Sequence, residues 1–90
     1  MNVVTLKLIN GDEIIGREVS SSSNKITMTK VFVLRLFQGP DGQVGVGMMP
    51  WMISNDEDTE FDLRIILAGP FTPPSEMERD YLSQSSGIKL

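Results

Sequence analysis

Lys25-Ile26-Thr27-Met28-Thr29-Lys30-Val31-Phe32-Val33-Leu34-Arg35-Leu36-Phe37 is the stretch that decides the fold. Ile26, Met28, Phe32, Leu34 and Leu36 take its even positions, and Val31, Val33 and Phe37 take odd positions beyond Thr29. Alternation with period two is the pattern of a β-strand. One face is apolar before Lys30 and both are apolar after it. The segment therefore reads as one long bent strand whose second half is covered on both sides.

Upstream, Val4, Leu6 and Leu8 alternate with Thr5 and Lys7, a half-buried strand. Asn10-Gly11 reads as a two-residue type I′ hairpin turn, because both residues tolerate positive φ. The next strand, Glu13 to Ser20, is interrupted by Gly16, which predicts a bend or bulge. Downstream, Val44-Gly45-Val46-Gly47-Met48 places glycine at alternate positions, where a neighbour can approach closely. Pro50 makes that strand an edge, or interrupts it. Phe61, Leu63, Ile65 and Leu67 share one face of a fifth strand, Phe61 to Ala68, and Gly69-Pro70 reads as a turn. Turn signals about a dozen residues apart are those of a small all-β sandwich or barrel. Beyond Pro73-Pro74, Ser75 and Glu78 form a capping-box pattern, Met77 and Tyr81 share a helix face, and Gly87 is a stop signal. The expected architecture is all-β: a five-stranded, strongly bent antiparallel sheet, an SH3-like small barrel over residues 1–70. A Pro-rich spacer and short C-terminal helix occupy 71–90.

Composition narrows the chemistry. The 90 residues contain no Cys and no His, which excludes disulfides, Cys/His zinc sites and thiolate catalysis. No Ser sits in a nucleophile elbow and no phosphate loop is present, so no catalytic residue, metal or cofactor is expected. No apolar run approaches the roughly 18 residues of a membrane span. With no basic leader at the N-terminus, the expected location is cytoplasmic. A domain this small buries only about 60 % of its unfolded surface, so oligomerisation is the reinforcement left to it. The apolar residues Val31, Val33, Met48, Met49, Trp51, Met52 and Ile66 exceed what one small interior needs. They serve either as subunit contacts or as core beneath the helix.

Ile9-Asn10-Gly11-Asp12-Glu13-Ile14-Ile15-Gly16, a polar turn and the long third strand together resemble the Sm-like (LSm) proteins over about the first third of the chain. Gly42-Gln43-Val44-Gly45-Val46-Gly47-Met48-Met49-Pro50-Trp51-Met52 and Tyr81-Leu82-Ser83-Gln84-Ser85-Ser86-Gly87-Ile88-Lys89-Leu90 resemble small proteins of tailed phages that infect marine cyanobacteria. The resemblance implies a noncatalytic, homo-oligomeric ring of roughly five to seven subunits. In it the fourth strand of one copy pairs with the fifth of the next, through Val46, Met48, Trp51, Leu63, Ile65 and Ile66. It also implies single-stranded RNA binding in phage RNA metabolism, in the host cytoplasm if the chain is phage-encoded.

The family's pore-loop residues are replaced here. Asn24 and Lys25 remain able to contact a base or phosphate, and Arg17 and Lys30 lie nearby on the same strands. Residues 1–35 carry five basic and three acidic side chains, whereas residues 36–90 carry three basic and nine acidic. An RNA surface would therefore fall on the first three strands, where a plain solvated face is the alternative. Asn55-Asp56-Glu57-Asp58-Thr59-Glu60 would make a ring's second pore loop strongly negative and repel phosphate. The acids lack the Gly and Glu of a calcium loop, so a solubilising loop is the simpler reading. Two other functions stay open: a structural or protein-interaction ring without nucleic acid, and a monomeric adaptor docking a peptide near Trp51.

Overall fold

The computed structural model describes residues 2–55 and 57–86. Six antiparallel strands are followed by one helix: β1 (Val3–Leu8), β2 (Glu13–Ser21), β3 (Lys25–Gln38), β4 (Val44–Pro50), β5 (Thr59–Asp62), β6 (Ile66–Phe71) and α1 (Ser75–Ser85). They form a sheet in the order β4-β3-β2-β1-β6, with β5 following β4 along the same edge of β3. The sheet is open: no pairing joins β4 to β6 among the described residues. The predicted Gly87 stop lies outside those residues.

Six strands stand where five were expected, because the segment Phe61 to Ala68 does not run straight. Asp62 Oδ1 accepts the Arg64 backbone N–H at 2.8 Å, which caps a 3-10 turn over Leu63–Ile65. The chain then crosses to the far edge and pairs with β1. Gly69-Pro70 lies inside β6 rather than in a turn, at a register shift against β1. The Asn10-Gly11 turn also differs. Gly11 alone has positive φ, and its N–H donates to the Leu8 carbonyl, so a glycine-bulged loop replaces the two-residue form. At α1, Pro74 is the N-cap and no side chain caps the helix, so the Ser75 capping box does not form.

The predicted bend at Gly16 coincides with a bulge on the opposite strand. Ile15 pairs with Phe32 and Arg17 with Thr29, so Gly16 alone faces both Lys30 and Val31. Lys30 takes φ 55°, a left-handed conformation that costs an L-residue about 1–2 kcal/mol. Lys30→Gly should relieve that strain. Allowing for glycine's greater unfolded-state freedom, stability should rise by about 0.5–1 kcal/mol. Urea denaturation with an unchanged m-value checks this.

Two apolar layers lie on the two faces of the sheet. Val4, Leu6, Leu8, Ile14, Ile26, Met28, Val33 and Phe61 form the larger one, extended by the half-buried Val31, Trp51 and Ile66. Val3, Ile15 and Tyr81 form the smaller, with Phe32, Leu34, Met48 and Met77 around them. The single buried face predicted for the first half of β3 is present, but the two-sided cover predicted for its second half ends at Val33 and the half-buried Leu34. Its first half is buried at Ile26 and Met28, whereas the second half projects with β4 as a hairpin that leaves Leu36 76 % exposed.

Candidate functional site

The four predicted nucleic-acid contacts fall in three places. Asn24 and Lys25 border a polar hollow of about 160 Å³ shared with Glu60 and Asp62. Lys25 Nζ lies 3.1 Å from Glu60 Oε2, and the Asn24 side chain accepts from Ser22 Oγ. Asp62 is held well below the usual carboxylate range, at about 2, chiefly by its side-chain hydrogen bonds from Arg64. Lys30 borders a separate small hollow with Met52, Asn55, Glu57 and Thr59. Arg17 is half-buried on the helix side beside the Tyr81 hydroxyl, and its buried Nε has no hydrogen-bond partner among the described residues. An acid thus accompanies both Lys25 and Lys30, and the four side chains do not converge on one strip.

The predicted subunit contacts divide differently. Trp51 packs against Phe61 with ring centroids 5.3 Å apart, and its indole N–H donates to Asp12 Oδ2 at 3.0 Å. Trp51 and Ile66 belong to the large apolar layer, and Met48 to the smaller one, so all three serve the protomer's own core. Val46, Leu63 and Ile65 remain exposed. Trp51 is half-buried, with Phe61 beside its ring and Asp12 on its indole N–H.

Met49, one of the surplus apolar residues, is exposed on β4. Val44 on β4, Leu36 and Phe37 on β3, and Leu67 and Phe71 on β6 are exposed beyond that set. Phe37 lies across Gly45 and Gly47, the close approach that the alternating glycines predicted. β4 and β6, seven and six residues long, terminate opposite edges of one open sheet, and among the described residues no strand pairs with their outer sides. Such edges template pairing with another chain.

Among the described residues, no group of three or more His, Cys, Asp or Glu side chains could hold a metal ion. No helix among them is long and apolar enough to cross a membrane. No protein-family model and no curated protein matches this sequence.

Proposed function

We propose that this chain is a noncatalytic, Sm-like assembly module. Copies join the β4 edge of one to the β6 edge of the next until a ring closes, and the ring works through protein contacts rather than nucleic acid. The single observation behind this reading is the open sheet. Two dissimilar edges of matched length flank it, and apolar side chains stand exposed on both. A contact between dissimilar edges is heterologous, and a heterologous contact closes on itself once the rotation per copy divides a full turn. Leu67 at 68 % exposure and Val44 at 67 % are costly to leave in water, since burying one large apolar side chain stabilises by roughly 1.5–3 kcal/mol. The protein-contact alternative is preferred over RNA binding because Glu60 and Glu57 accompany Lys25 and Lys30, while Arg17 is half-buried beside Tyr81.

Light scattering at micromolar concentration should give a multiple of the 10.0 kDa protomer mass. Val44→Lys with Leu67→Lys should return it to one protomer with unchanged circular dichroism, because lysine on an edge blocks strand pairing and both positions are exposed. A wild-type protein that is wholly monomeric would overturn the ring. Short U-rich and A-rich RNA should leave fluorescence anisotropy unchanged at low salt. Binding that disappears on Lys25→Ala with Lys30→Ala would instead favour the nucleic-acid reading.

A further inference from the structure

A groove runs between α1 and the projecting β3–β4 hairpin, on the sheet face opposite the main core. It consists of two hollows, of about 260 and 80 Å³, that share Val46 and Met77. Leu34, Leu36, Val46, Met48 and Met77 supply its apolar lining. Register places Leu34 opposite Met48 and Leu36 opposite Val46, so these four side chains stand on one face of the hairpin. Two of the lining residues are methionines, whose unbranched thioethers adapt to varied shapes.

The border of the groove is acidic. Glu76 and Asp80 line the helix side, and Glu13 lines the sheet side. None of the three takes part in an ion pair among the described residues. The cation at the border, Arg35, has its guanidinium 3.9 Å from Asp12. Apolar floor and unpaired carboxylates therefore lie side by side, next to an unpartnered strand edge.

We infer that this groove is a binding site for an extended segment of another protein, one that alternates apolar side chains with lysine or arginine. The apolar residues enter between Met48 and Met77, and the cations meet Glu13, Glu76 and Asp80. The charge complementarity favours this occupant over a second copy of the chain. The exposed apolar strand β6 brings Leu67 and Phe71 but no cation, and the nearby Arg64 is already held by Asp62 at 2.9 Å. The site lies on the hairpin face rather than its edge, so the inference does not rest on ring formation.

The test uses a defined peptide, acetyl-Lys-Leu-Lys-Phe-Lys-Leu-amide, and its counterpart with glutamate in place of each lysine. With methyl-labelled methionine, the lysine peptide should shift the Met48 and Met77 signals and leave that of the fully buried Met28 in place. Added salt should weaken binding, and Glu76→Lys with Asp80→Lys should weaken it by about tenfold. Leu36→Asp, at a position exposed enough to spare the fold, should abolish it. Equal binding of the glutamate peptide, or full binding by the charge-reversed variant, would overturn the inference. So would Leu36→Asp lowering the oligomeric mass with no peptide bound, because the groove would then belong to a second copy. A monomeric protein that still binds the lysine peptide would sink the ring and leave this site standing.

Discussion

Tyr81→Ala is expected to destabilise the domain by about 3–5 kcal/mol, as removal of a fully buried aromatic ring generally does. Tyr81 is the one residue of α1 that is both large and wholly buried. Its ring meets Phe32 edge-on at 5.7 Å, and its hydroxyl donates to the Lys30 carbonyl at 2.7 Å. That carbonyl belongs to the bulge, where the strand ladder is interrupted, so the phenol replaces a missing sheet partner. Tyr81→Phe keeps the ring and removes the donor. It should cost about 1–3 kcal/mol, the penalty of a buried acceptor left unpaired. Chemical denaturation of the two variants separates packing from hydrogen bonding. Losses of equal size would mean that the ring contributes nothing.

The same phenol makes a pH prediction. Burial pushes its pKa above the usual value of 10.0, against the opposing pull of Ser85 and Arg17. The folded state then holds the proton at a pH where the unfolded chain has released it. The contribution is fully present below the unfolded value, and it is lost as pH rises through the folded one. This is the only tyrosine, so tyrosinate absorbance reports on it alone. Ionisation should lag that of a free phenol and accompany loss of structure. An ordinary titration with the fold intact would contradict the packing described.

Gly69→Ala is the second large effect. Gly69 has φ +114°, and a Cβ there would stand 2.8 Å from the Thr5 carbonyl oxygen and 3.0 Å from Leu6 Cδ2. Backbone strain of about 1–3 kcal/mol combines with overpacking of about 1–3 kcal/mol. The nearest obstacle is backbone of β1, paired with β2 on its other side, and it cannot yield as a flexible side chain would. β6 should detach from β1, and any assembly that uses its edge should be lost with it. Gly11→Ala is the control. Gly11 has φ +98° with nothing within 4 Å of a Cβ, so it carries the conformational cost alone. If Gly69→Ala lowers the urea midpoint no more than Gly11→Ala does, the close approach of β6 to β1 is wrong.

Much of the sheet could be read from residues. Val4, Leu6 and Leu8 are buried on one face as their alternation implies, although α1 on the other side leaves Val3 and Thr5 buried too, and Gly16 marks the bend. The helix was visible in Met77 and Tyr81, which do face the sheet. Asp62 and Arg64 were not readable as a break, because a carboxylate two residues before an arginine is common in straight strands too. Their cap on the 3-10 turn sends β6 to the far edge, and so creates two separate open edges. The binding candidates fared according to their neighbours. Lys25 looks free along the chain, yet Glu60, 35 residues away, sits on it. Arg17 looks like a surface cation, yet α1 folds over it and leaves it half-buried.

Sequence by itself determined that this is an antiparallel β domain with a terminal helix, lacking Cys and His chemistry, because side-chain alternation and residue inventory are local properties of the chain. Tertiary structure alone decided which apolar residues are spent in the core and which stay exposed. It closed Trp51 against Asp12 and Phe61, and it opened Leu36, Val44 and Leu67 to solvent. The physical reason is that a period-two pattern marks a face as apolar without saying what covers it. Coverage depends on where β6 and α1 land, and the chain path through the Asp62–Arg64 turn and the Lys30 bulge sets that.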